Sequence, residues 1–312
     1  MAKTTSMDII AVQLEDVAKD ITGTTIAKGG YAWDIIDNAL TTIAEAVGAE
    51  LPTKKYAAKK DRVADVVEAI ADADVGGGGG ENLSALVART ISGVYENSTA
   101  STVGSYAFYG CTSLTEVSFP ACTTIGNFAF YSCPSLTTVS FPTCTIIRSN
   151  AFRNCTGLTT ANFPACTSIN TWAFDNCSNL TTVSFPACTF IDQQAFKSCT
   201  SLTTASFPTC TSIGALAFIG CTGLTTVSLP ACTIIDLSAF ASCYRLLSLY
   251  LTGSSVVTLV GINAFSSTPI GGYTEYTGGV YGSIYVPSSM LASYKNYQTW
   301  KPLSSRIVAY DG

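Results

Sequence analysis

From Leu114 onward the apolar positions fall into a pattern that repeats every 22 residues, with complete copies beginning at Leu114, Leu136, Leu158, Leu180, Leu202 and Leu224. In the first half of each unit, apolar and polar residues alternate. Val139 and Phe141 share one face of a predicted short strand, Thr138 and Ser140 point the other way, and Pro142 ends it. In the second half, Ile147, Ala151, Phe152 and Cys155 stand at offsets 0, 4, 5 and 8, which predicts the buried face of a short helical or 3₁₀ segment. Strand, turn, short helix and turn then close one coil. A coil this small cannot bury its own apolar face, so neighbours must cover it. The expected fold is an α/β repeat solenoid of about eight coils, with a parallel sheet along one side and an atypical cap at each end.

The caps are visible as decayed repeats. Residues 92–113 keep Tyr95, Val103, Ala107, Phe108 and Cys111 but lose the strand leucine, and Leu246, Leu249 and Leu251 repeat the strand motif downstream. The next Ala-Phe pair, Ala264-Phe265, arrives three residues late. Ser283 to Pro287 predicts a closing strand, and Ser288-Ser289 the N-cap of a short final helix running toward Tyr297.

The start of the chain follows a different period. Met7, Ile10, Ala11, Leu14, Val17, Ala18 and Ile21 mark one amphipathic helix, Ile36, Leu40, Ile43 and Val47 a second, and Val63, Val66, Val67 and Ile70 a third. Residues 1–75 therefore predict a small α-helical anchoring or oligomerisation module, with Ile10, Leu14, Val17, Ile36, Leu40 and Ile43 as its docking or self-association residues. Residues 76–82 predict a Gly-rich linker, 83–282 the solenoid with its N-terminal cap, and 283–312 the C-terminal cap.

Composition narrows the function. Only 12% of the 312 residues are charged, the net charge is −5, and no basic stripe is present, which argues against nucleic acid. There is no histidine, so the commonest general base and the commonest metal ligand are both missing. The remaining acids, such as Asp175, Asp192 and Asp236, sit on separate coils without a recognisable partner, and no enzymatic activity or cofactor is expected. The N-terminus lacks the apolar core of a secretory signal, and no stretch approaches ~18 consecutive apolar residues, so membrane insertion is not expected.

All 13 cysteines recur at 11-residue spacing, one in each half of the coil. That is too far apart for the close pairs of a zinc site. Adjacent coils would bring Cα atoms within disulfide range, but the count is odd and every cysteine coincides with an inward position. They are read as a double row of buried thiols acting as small hydrophobes.

The outward strand residues barely vary: Glu116, Thr138, Thr160, Thr182, Thr204 and Thr226 form one row, and Ser118, Ser140, Asn162, Ser184, Ser206 and Ser228 another. A third row, Thr123, Thr145, Thr167, Thr189, Thr211 and Thr233, follows the strand cysteines. Hydroxyl and β-branched residues suit a stacked parallel sheet, and an ice- or water-ordering lattice is the remote alternative. Variation is concentrated beside the Ala-Phe pair, in the rows Tyr106, Phe128, Asn150, Trp172, Gln194, Leu216, Ser238 and Tyr109, Tyr131, Arg153, Asp175, Lys197, Ile219, Ala241. Aromatic and charged residues of this kind anchor interfaces. Tyr106, Phe128, Tyr131, Arg153, Trp172, Asp175 and Lys197 are the candidate contact residues.

The repeat resembles the BspA-like class of bacterial leucine-rich repeats, to which Ile125–Pro142 is a close match; Ile284 to Ser289, followed by Tyr294 and Trp300, looks like the C-terminal cap of such arrays. The resemblance spans roughly residues 83–310 and implies a binding or adhesion role without catalytic residues. The helical start and Gly-rich linker also look like bacteriophage or prophage particle proteins carrying such repeats. The combined expectation is an appendage on the surface of a virion or phage-like particle, self-associating, with the helical base on particle structural proteins and the rod on a host-surface protein or glycan. The alternative is an adhesion or protein-interaction protein at the bacterial cell surface or outside the cell.

Overall fold

In a computed structural model, the chain is described over residues 93–105, 107–271 and 281–312. The helical segments and linker expected upstream, with Ile10, Leu14, Val17, Ile36, Leu40 and Ile43, lie outside the described residues, as does Tyr106.

The repeat closes into a parallel β-solenoid with strands on two sides. The predicted strand motif supplies one row, including Leu114–Ser118, Thr138–Ser140, Thr160–Asn162, Thr182–Ser184, Thr204–Ser206, Thr226–Ser228 and Ser248–Tyr250, extended by Ser283–Val286 and Ile307–Ala309. Its pairings are parallel and advance one repeat at a time: Thr204 faces Thr226, and Ser206 faces Ser228. The ladder is continuous within groups of three, two and five strands, and its two breaks fall where a valine coil (Val139, Val183) is followed by an alanine coil (Ala161, Ala205).

The second row corrects the helical expectation. Two-residue strands from Thr102–Val103 through Ile146–Ile147 to Thr258–Leu259 form one eight-stranded parallel sheet, and the Ala-Phe segment beyond each is a pair of tight turns. The cause lies in the backbone. Each coil from Phe128 to Ser242 carries two left-handed residues, such as Asn150 (φ 60°) and Asn154 (φ 61°), which a right-handed helix does not accommodate. Amides that a helix would direct four residues back reach the next coil instead: Asn150 N–H to Thr171 (3.0 Å), Phe152 N–H to Ala173 (2.7 Å) and Asn154 N–H to Asp175 (2.9 Å). Among the described residues only the late repeat, Ile262–Phe265, forms a 3₁₀ turn at this position.

The inward positions predicted from the period are buried, except that Val183 is only partly so, and their aromatic rings form two stacks. Phe108, Phe130, Phe152, Phe174, Phe196, Phe218, Phe240 and Phe265 stack at 5.0–5.7 Å with planes within 9°. The strand phenylalanines Phe119 to Phe207 form a second stack, and the two meet edge-on, as for Phe141 and Phe152 at 6.3 Å. Tyr95 closes the stack at one end, 5.0 Å from Phe108, and Trp300 at the other, 6.0 Å from Phe265. Trp300 donates Nε1–H to Val257 C=O at 2.6 Å, and the Tyr294 hydroxyl accepts from Val257 N–H at 3.1 Å, which satisfies both sides of one backbone residue. The predicted Ser288 cap is not made: Ser288 bonds Asp311, and the helix Leu291–Asn296 starts after a 3₁₀ turn with no side-chain cap.

All thirteen cysteines are buried thiols. They do more than fill space. In the turn row each thiol from Cys133 to Cys243 donates to a phenylalanine carbonyl one coil back, as Cys155 does to Phe130 at 2.9 Å. In the strand row it reaches the carbonyl two residues on, as Cys144 does to Ile146 at 3.4 Å. A small side chain thereby also satisfies buried backbone acceptors. Burial pushes the Cys166 and Cys232 thiols up to about 12, far from the reactive thiolate. Native protein at pH 8 is expected to give almost no reaction with a thiol reagent, and all thirteen cysteines should titrate once denatured; several reactive thiols in the native state would contradict this packing.

The invariant threonines have an equally local reason. Thr145, Thr167, Thr189, Thr211 and Thr233 donate their hydroxyls to the carbonyl of the preceding threonine in the row, at 3.0–3.2 Å. The same carbonyl takes the amide of the same residue, as when Thr145 N–H reaches Thr123 at 2.8 Å, so both lone pairs are used. A second such row, Thr137, Thr181 and Thr225, flanks the other sheet and was not singled out by sequence reasoning; its signal was the unvarying second position of each unit.

Candidate functional site

Because the variable positions repeat every 22 residues, stacking lines them up along one edge of the solenoid. Tyr109 and Tyr131, on successive coils, stack at 4.9 Å with planes 7° apart, and Phe128 packs on Tyr131 at 5.7 Å. On the next coil the Arg153 guanidinium lies 5.9 Å from the Tyr131 ring and 5.6 Å from the Trp172 ring. Its Nε reaches Asp175 at 2.8 Å and its Nη1 donates to Asn150 at 3.3 Å. Lys197, one coil further, adds a second cation close enough to Asp175 to stabilise its charge. Phe128, Tyr131, Arg153, Trp172, Asp175 and Lys197 are thus brought together, with Tyr109 as an added first rung.

The roles within this ladder differ. Tyr109, Phe128, Tyr131, Arg153, Trp172 and Lys197 are partly exposed, whereas Asp175 is 3% exposed. Asp175 is therefore the buried counter-ion that fixes Arg153, and the contact surface consists of the aromatic rings and the cationic groups. Burial pushes the Asp175 carboxyl above its ordinary value, with Arg153 and Lys197 pulling the other way. A raised value means that the folded chain holds the proton more tightly than the unfolded one. Its contribution is largest at acid pH and is lost as pH rises from the ordinary carboxylate value through the raised one. The stability difference between wild type and Asp175→Asn should accordingly fall with rising pH over that window, as read by denaturant unfolding. A difference that grows with pH would show that the ion pair outweighs the burial.

The aromatic rungs are held at a cost. Phe128 and Trp172 both have φ of 57°, the left-handed region, where Asn150 stands in the coil between them. Bulky residues in that region carry strain of order 1–3 kcal/mol.

The sequence matches the description "BspA type Leucine rich repeat region (6 copies)" over residues 89–203 and 167–274, more than half of the chain. The protein belongs to the BspA-type leucine-rich-repeat family. No curated protein matches it. Among solved structures, it is similar to a leucine-rich cell surface protein from Faecalibacterium prausnitzii A2-165, at 25% identity over 69% of this chain and 62% of that one, with a TM-score of 0.45. The chain thus spans less than two thirds of that protein's length. A leucine-rich-repeat protein of T. pallidum shares 28% identity over 53% of this chain and 72% of that one, TM-score 0.40, and a pneumococcal vaccine antigen 12% over 71% and 80%, TM-score 0.40. Among the described residues no helix is long and apolar enough to cross a membrane, and no group of three acidic, cysteine or histidine side chains is placed to hold a metal ion.

Proposed function

We propose that the protein is a non-enzymatic interaction and adhesion protein of a bacterial surface, and that the edge running from Tyr109 to Lys197 takes its protein partner. The observation that carries this reading is the continuous ladder of aromatic rings around one guanidinium, two of whose rungs occupy strained backbone where a small residue would serve the fold better. Exposed aromatics and arginine are the side chains that dominate binding energy at protein interfaces. Family membership supports the cell-surface reading. Carriage on a phage-like particle is supported by the amphipathic periodicity of residues 1–75 and the Gly-rich run that follows, and would require that deleting residues 1–75 abolishes incorporation into particles.

Beads coated with the full chain should be retained on immobilised host-cell surface proteins, and protease treatment of that surface should release them. A triple variant, Tyr131→Ala, Arg153→Ala and Trp172→Gly, should not be retained. Equal retention of wild type and variant would remove the ladder from the reading.

A further inference from the structure

The outward face of the strand sheet changes character at its C-terminal end. From Thr138 to Ser228 its two rows carry only Thr, Ser and Asn, and the row through Ser206 and Ser228 then carries Tyr250 and Tyr285, with Val308 as its last rung. These rings stack at 4.5 Å and 11°, with Tyr310 beside the pair at 5.2 and 5.9 Å, nearly perpendicular to both. The pair stacks along the solenoid axis. Tyr285 therefore covers one face of Tyr250, and the other face looks back over Ser228, where the next rung of the row carries only a hydroxymethyl group.

We infer that this corner binds one uncharged pyranose ring of a glycan. A flat ring above Ser228 would occupy the third rung of the stack, one coil from Tyr250 and so at the distance already set by Tyr285. Thr204, Ser206, Thr226 and Ser228 surround that position, partly or fully exposed, with hydroxyls that make no hydrogen bond to the described residues. They differ in this from the edge threonines, whose hydroxyls are committed to carbonyls. The two rows from Thr138 to Tyr285 hold no Asp, Glu, Lys or Arg. An aromatic face with free hydroxyls at right angles to it, and no charge, complements a sugar ring: its C–H face against Tyr250, its hydroxyls toward the floor. A charged polysaccharide finds no counter-ion here, and a planar aromatic side chain leaves the floor hydroxyls unused. The site is separate from the Tyr109–Lys197 edge and does not depend on the reading given to it.

Saturation-transfer NMR on the full chain, with cellohexaose and maltohexaose as neutral probes and heparin as the anionic one, tests the assignment. Transfer to at least one neutral glycan is expected, and none to heparin. Tyr250→Ala and Ser228→Tyr should each weaken the neutral glycan at least tenfold. The second variant places a protein ring in the ligand's position and extends an existing stack, so near-UV circular dichroism should confirm an intact fold. Leu216→Gly, on the turn edge and in neither aromatic cluster, should leave the glycan signal unchanged. Absence of transfer from both neutral glycans, binding undiminished in Ser228→Tyr, or transfer to N-acetyltyrosinamide in place of the glycans would each overturn the proposal.

Discussion

Phe152→Ala should destabilise the solenoid by about 3–5 kcal/mol, the range for a buried aromatic whose cavity has no means of closing. Phe152 is fully buried, stacked between Phe130 at 5.1 Å and Phe174 at 5.2 Å, edge-on to Phe141 and tilted against Phe163. Collapse around the vacancy would require neighbouring coils to approach, and their separation is fixed by the backbone. Phe152 N–H bonds Ala173 at 2.7 Å, Phe130 N–H bonds Ala151 at 2.7 Å, and the Cys177 thiol bonds the Phe152 carbonyl at 3.1 Å. The effect also depends on position along the stack. In an array stabilised by nearest-neighbour interfaces, a central lesion weakens the coupling on both sides, while one at an end weakens it on one. Phe152→Ala should therefore broaden or split the denaturant transition, with a lower apparent m value. Phe108→Ala, next to the N-terminal cap, should leave a single transition at a smaller loss. A single sharp transition shifted by less than about 1 kcal/mol in Phe152→Ala would mean that the stack is not the principal source of stability.

The period, the inward positions and the decayed caps were legible in the sequence because burial alone dictates them. Every residue of the Leu136, Val139, Phe141, Cys144, Ile147, Ala151, Phe152 and Cys155 set is buried. The second sheet was not legible. Thr124–Ile125 and its equivalents are only two residues long, too short for period-two alternation to show. The helical reading came from offsets that two tight turns reproduce, since both geometries return a side chain to the interior after four residues. One cue against it was present: the second left-handed position reads Gly110, Ser132, Asn154, Asn176, Ser198, Gly220, Ser242, a column of the residues that favour such backbone. The first left-handed column contains Phe128, Trp172, Gln194 and Leu216, which give no such cue. For the candidate site, the alignment of rungs followed from the spacing. The inward turn of Asp175 did not, because it depends on Arg153 reaching across a coil. The tyrosine corner was missed for a simpler reason: Tyr250 and Tyr285 are 35 residues apart in sequence, and only the register of the closing strand makes them neighbours.

Trp172→Gly should separate folding from binding. At φ 57° glycine is unstrained where tryptophan is not, so the strain relieved, of order 1–3 kcal/mol, offsets the lost ring contact with Arg153 and the greater freedom of glycine in the unfolded chain. The net change in unfolding free energy should stay within about 1 kcal/mol. Binding should respond differently. If the ladder takes a protein partner, removal of its largest exposed ring should cost about 2 kcal/mol or more, roughly thirtyfold in Kd. Leu216→Gly is the matched control, since Leu216 occupies the same column two coils on, with φ 60°, beyond the aromatic and cationic rungs. Its stability should change as little as that of Trp172→Gly while partner affinity stays at the wild-type level. Equal binding by the two variants would mean that Trp172 is tolerated strain with no partner. A loss in Trp172→Gly alone would show that the fold retains a disfavoured tryptophan for what it touches outside the molecule.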